Sequence, residues 1–197
     1  MAEVLSFDQL DISKRYTYAD YLTWWFDERV ELIRGKVHKM SPAPSSDHQR
    51  VSGVLQYHLY GYLRQHQCKV FAAPFDVRLN KSAKEEITTV VQPDLCVVCD
   101  VQKIDQRGCK GAPDLIVEIL SPSSSTMDLN TKYKLYQENG VKEYWIVYPG
   151  EAVIDCFELV GEAYTLREKL TRDQTLNSIV LPDFSLALSE VFESPYQ

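Results

Sequence analysis

Three observations in the sequence predict an α/β fold class: a three-layer α/β/α domain with a central mixed sheet and an antiparallel C-terminal extension. Leu115-Ile116-Val117-Glu118-Ile119-Leu120 is an apolar run around one acid, the pattern of a strand covered on both faces. A helical period over 127–139, closed by Gly140, leads into Lys142-Glu143-Tyr144-Trp145-Ile146-Val147-Tyr148, so strand, helix and strand follow with short links. That order implies a right-handed parallel crossover with the helix packed on the sheet. Beyond Pro149-Gly150, the segments Val153–Phe157, Tyr164–Leu166 and Ile179–Leu181 supply the antiparallel extension. The chain's 197 residues, 45% hydrophobic, fit one domain, with a core over about 28–150 and the extension over about 151–185.

The earlier elements follow in order. Thr17 caps a helix over 18–27, whose Tyr21, Leu22, Trp24, Trp25 and Phe26 form an apolar surface. Glu31-Leu32-Ile33 and Lys36–Met40 flank Arg34-Gly35 as a hairpin, and Ser41–Ser45 is punctuation. Ser46, with Gln49 three residues on, forms a capping box for a helix carrying Val51, Leu55, Leu59 and Tyr62 and ending near Gln67. Val70–Ala72 and Phe75–Leu79 read as strands separated at Pro74. Asp94-Leu95-Cys96-Val97-Val98 is a further strand. If it pairs antiparallel with the Glu118 strand, Asp94 is brought toward Glu118.

Composition narrows the function. A net charge of −7 excludes a broadly basic nucleic-acid binder, so any such contact is local or metal-assisted. Lys81 and Lys84 near Arg78 make a small positive patch or, with Glu85 and Glu86 adjoining, a solvated loop. The acidic start of the chain does not resemble a signal peptide, and no apolar stretch reaches the ~20 residues of a bilayer span, so a soluble, cytoplasmic protein is expected. Five cysteines without framework spacing predict buried thiols rather than disulfides. Cys96 and Cys99 would point to opposite faces of a strand and not share a zinc.

The chemistry concentrates at a few positions. A carboxylate at Glu118 has no easy route to water and needs a partner. On the 127–139 helix, Lys132 falls between Leu129, Leu135 and Tyr136 and faces inward, whereas Lys134 points away. Competing readings are an exposed Asp128–Lys132 pair, an ion pair of Glu118 with Arg50 or Arg64, and a simple turn at Pro93-Asp94, one of three Pro-Asp dipeptides. Of the histidines at 38, 48, 58 and 66, only His48 stands at a place of interest, the start of a helix, where polar capping accounts for it. Ser123, Ser124 and Ser125 could contact phosphate at a helix start or serve as linker and cap. The P-loop, Rossmann, zincin and serine-hydrolase motifs are absent.

Gln92-Pro93-Asp94-Leu95, then Pro113-Asp114-Leu115-Ile116-Val117-Glu118-Ile119-Leu120-Ser121-Pro122-Ser123, then Lys132-Tyr133-Lys134-Leu135-Tyr136 continuing to Gly140–Trp145, resemble the Uma-two family. Glu31–Lys36 followed by Met40–Pro44 matches that family's upstream block. The family is restriction-endonuclease-like, within the PD-(D/E)XK nuclease superfamily. The resemblance implies a restriction-endonuclease-like fold and a Mg²⁺-dependent DNA endonuclease, with Mn²⁺ as a substitute ion. Asp94 and Glu118 would be the metal-binding acids. The superfamily lysine usually stands two residues after Glu118, where this chain has Leu120, and the resemblance implies its relocation to Lys132. Glu31 matches an acid that completes the site or, alternatively, makes a hairpin salt bridge. DNA is the implied partner, and a homodimer follows by analogy with nucleases that cut two strands. The rival readings are an inactive nuclease-fold binding or scaffold protein and a metal-dependent phosphodiesterase of a small substrate.

Overall fold

Alternation along the central strands decides the layers. In the computed structural model, which describes residues 3–40, 44–79, 86–121 and 126–193, Leu115, Val117 and Ile119 of one strand belong to one apolar core while Ile116 belongs to another. This strand, β9 (Leu115–Ile119), is preceded by β1 (Val30–Ile33), β2 (Lys36–Lys39), β3 (Lys69–Ala72), β4 (Val77–Leu79), β5 (Thr89–Val91), β6 (Leu95–Val98), β7 (Ile104–Asp105) and β8 (Gly108–Lys110). It is followed by β10 (Glu143–Tyr148), β11 (Val153–Val160), β12 (Ala163–Thr171), β13 (Thr175–Asn177) and β14 (Ser185–Ala187). The helices are α1 (Tyr18–Tyr21), α2 (Ser46–Leu63), α3 (Thr126–Glu138) and α4 (Leu188–Val191).

A mixed sheet in the order β12-β11-β10-β9-β6-β3 is the middle layer. The β9–α3–β10 crossover is parallel, with Glu118 beside Ile146, and the remaining pairs are antiparallel. On one face α2 buries Val51, Leu55, Leu59 and Leu63, spaced at helical intervals, against Leu95, Val97, Val117 and Trp145. On the other face α3 buries Leu135 and Tyr136 against Cys96, Ile116, Tyr144 and Ile146. A second six-stranded sheet, β2-β1-β5-β4-β8-β7, joins that side through Ile33, Val77, Leu79 and Val91. The three-layer α/β/α class therefore holds, with an additional sheet beside α3.

Several boundaries differ from the sequence reading, each for a local reason. Thr17 does cap α1, with a capping box to Asp20, yet the helix stops at Tyr21 instead of continuing to 27. Val4 competes for the backbone beyond it, donating to the Thr23 carbonyl at 3.0 Å and accepting from Trp25 at 2.7 Å. Ser45 rather than Ser46 caps α2, accepting from the His48 amide at 3.2 Å. The stretch 179–181 is not a strand. Glu143, fully buried, accepts on Oε2 from the Ser178 hydroxyl and the Ile179 and Val180 amides, which turns those donors inward, away from any ladder. The pair β13–β14 takes its place in the extension.

Cys68 and Cys99 form a disulfide, contrary to the expectation of free thiols only. The β3–β6 register, Lys69 opposite Val98, continues to place these two cysteines across from each other, a proximity that sequence spacing does not encode. Cys96, Cys109 and Cys156 are buried and free. Arg78 belongs to no surface patch: it is buried in β4 and bonded to Asp105 at 2.7 Å, while Lys81, Lys84 and Glu85 lie outside the described residues.

Candidate active site

Glu118 faces α3 because it shares the parity of Ile116 in β9. Lys132 and Tyr136, one helical turn apart on α3, meet it there. The Lys132 Nζ lies 3.0 Å from Glu118 Oε1, and the Tyr136 hydroxyl donates to the same oxygen at 2.6 Å. Glu31 arrives from β1 in the other sheet, with Oε1 3.1 Å from the Lys132 Nζ, and it also accepts from the Gln92 amide at 2.9 Å. One ammonium thus joins carboxylates from two sheets. Leu120, in the usual place of the superfamily lysine, packs at the edge of the α3-side core.

Asp94 stands where the chain leaves β5 in one sheet and enters β6 in the other. The β6–β9 register, Leu95 opposite Val117, sets it across from Glu118. Its Oδ2 accepts from the Ile119 amide at 2.7 Å and is 3.2 Å from the Nε2 of His48, the third residue of α2. Among the described residues Glu118 pairs with neither Arg50 nor Arg64: Arg50 donates to the Val191 carbonyl, and Lys132 is the cation on Glu118. The side chain of Asp128 lies outside the described residues, as do Ser123, Ser124 and Ser125.

The electrostatics follow from this crowding. Burial, reinforced by Asp94 and Glu31 and opposed by Lys132 and the Tyr136 bond, pushes the Glu118 carboxyl up to about 7. Burial disfavours the charge on Lys132, but Glu118 and Glu31 together outweigh it and hold the lysine above its ordinary value. The ammonium stays charged, held by two carboxylates. His48 is raised by its bond to Asp94, against desolvation.

Of the residues singled out in the sequence, Glu31, Glu118 and Lys132 are in direct contact, and Asp94 adjoins them across the strand pair. Among the described residues, no group of three or more Asp, Glu, His or Cys is arranged as a metal cage. Tyr136 and Gln92 went unremarked as site residues, and His48 read as a cap. Tyr136 had a signal, its i+4 spacing from Lys132 on one helix face. His48 and Gln92 had none until the register placed Asp94 and Glu31.

Residues 18–189 match the model of the Uma2 family, described as "Putative restriction endonuclease". The "Uncharacterized protein slr1290" of Synechocystis sp. strain PCC 6803 is 26% identical over 141 residues, covering 70% of this chain and 71% of that protein. A crystal structure described as "a putative nuclease belonging to DUF820", from Anabaena variabilis ATCC 29413, superposes with a TM-score of 0.69. At 17% identity, over 90% of this chain and 97% of that one, it shares the restriction-endonuclease-like fold. Because the family match runs from α1 into α4 and encloses Glu31, Asp94, Glu118 and Lys132, the chain belongs to the Uma2 family.

Proposed function

We propose that the chain is a Mg²⁺-dependent endonuclease that hydrolyses DNA phosphodiester bonds. The observation that carries this reading is the convergence of Asp94 and Glu118, from paired strands, with the buried ammonium of Lys132 at a seam between two sheets. The donor set fits the ion. Mg²⁺ is held through one or two carboxylates plus waters and substrate phosphate, so two hard oxygen donors suffice where no all-protein cage exists among the described residues. Mn²⁺ is accommodated by the same ligands. Asp94 and Glu118 would be those ligands, and the bound ion would lower the pKa of water and offset charge developing on the phosphate.

The chain's own groups supply the rest. Lys132 carries a fixed positive charge that offsets the anionic substrate and orients the attacking water. Glu31 holds that ammonium in place from the opposite sheet. Tyr136 fixes the rotamer of Glu118 by its bond to Oε1. A homodimer would bring two such sites to opposite strands of a duplex.

Incubation of the protein with plasmid, single-stranded DNA and RNA in Mg²⁺ or Mn²⁺, beside Lys132→Ala, tests the reading. Cleavage of DNA by wild type alone is expected; intact substrates throughout would refute nuclease activity. A second reading, a nuclease fold that binds without cleaving, is favoured by one observation: the Lys132 ammonium is already committed to two carboxylates. Calorimetry separates the two, since the enzyme reading requires Mg²⁺ binding that disappears in Glu118→Ala.

A further inference from the structure

We infer that His48 is a positioning residue, whose imidazole fixes the orientation of Asp94 from a third element, α2, and so sets the geometry in which Asp94 faces a divalent cation. This rests on the metal-dependent reading of the site. His48 is buried, and its Nε2 lies 3.2 Å from Asp94 Oδ2. The Ile119 amide donates to that same oxygen at 2.7 Å. The amide and the imidazole approach that oxygen from different elements, and neither occupies Oδ1. Carboxylates that ligate metals are characteristically held in this way by hydrogen bonds behind the coordinating edge.

The other ring nitrogen argues against a role in stability. Nδ1 of His48 is buried with no hydrogen-bond partner among the described residues, and an orphaned buried nitrogen is a cost that leucine, of comparable bulk, would not carry. Nor is the side chain needed as a cap, because it is the His48 backbone amide that bonds to Ser45. The imidazole therefore leaves one buried nitrogen unpaired, while its other nitrogen is turned to a site carboxylate.

His48→Leu removes the donor, and His48→Gln places an amide N–H near the Nε2 position. Mn²⁺ affinity, read by electron paramagnetic resonance, is expected to fall about 10–100-fold in His48→Leu and to recover in His48→Gln. Thermal stability in the absence of metal, measured at a pH where the imidazole is neutral, should be unchanged or higher in His48→Leu. Equal Mn²⁺ affinity in wild type and His48→Leu, or loss of affinity in step with loss of stability, overturns the inference. The carboxyl ¹³C resonance of Asp94, recorded without metal, supplies an independent arm. If wild type binds no Mn²⁺ but this resonance shifts in His48→Leu and returns in His48→Gln, the positioning role stands and the metal-dependent reading fails. If it does not shift, both fail.

Discussion

Replacing Lys132 by methionine roughly preserves its volume but strips a cation from two buried carboxylates. Breaking a buried pair by removing one partner costs about 3–5 kcal/mol, so Lys132→Met is expected to lose stability of that order at pH 8, measured by urea unfolding. The loss should shrink toward pH 5, because without the ammonium Glu118 relieves its repulsion with the neighbouring acids by taking up a proton. In the wild type the Glu118 carboxyl is raised from the ordinary carboxylate value to about 7. The folded state then binds more protons than the unfolded one between about 4.5 and 7, and this group's contribution to stability falls as pH rises through that window. Glu118→Gln should flatten that part of the profile; an unchanged slope would show that another group carries it. At His48 the sign is reversed in charge but not in direction. Its raised pKa means that the bond to Asp94 contributes fully below the ordinary histidine value and is lost as pH climbs through the folded one. Nuclear magnetic resonance titration of the imidazole should therefore show a lower midpoint in Asp94→Asn than in wild type.

At the scale of elements, the seam between the sheets depends on a few connections. The bond between Cys68 and Cys99 ties the end of the α2–β3 corner to the end of β6, with a sequence separation of 31. A closed loop of that size restricts the unfolded chain, and the double replacement by serine should lower stability under oxidising conditions by ~2–4 kcal/mol. Thiol reagents on the unfolded protein, before and after reduction, would report whether the bond forms. Gly108 has a different task, at the turn into β8. It holds a φ of +116°, and a Cβ there would come 2.1 Å from the Asp76 carbonyl oxygen. That carbonyl accepts from the Cys109 amide at 2.8 Å, so the backbones cannot part without losing the β4–β8 pairing. Gly108→Ala should accordingly cost more than ~1 kcal/mol in thermal or urea unfolding, through both the clash and the left-handed backbone.

For the molecule as a whole, an acidic surface has to meet an acidic polymer. With a net charge of −7, the proposed association with DNA should require a divalent cation at the Asp94–Glu118 site. A duplex in Ca²⁺ is expected to be retained in an electrophoretic assay and released by chelator; equal retention in both conditions would place binding elsewhere.

Much of the architecture was written along the chain. The apolar run around Glu118, the inward period of the helix bearing Lys132 and the glycine closing it specified a β–α–β unit, because side-chain parity and helical spacing are local properties. The same locality explains the errors. Nothing near residues 22–27 reveals that Val4 takes up their hydrogen bonds, nothing at 179–181 reveals that Glu143 draws their amides inward, and Cys68 gives no hint of Cys99. The cluster divides in the same way. Sequence by itself determined that Glu118 would be buried and in need of a cation, and that Lys132 faced the sheet. Only the tertiary structure decided that Glu31 crosses from a second sheet to share that cation, and that His48 reaches Asp94 from α2. These contacts depend on strand register and on how layers stack, and both are settled by packing among residues far apart in the chain.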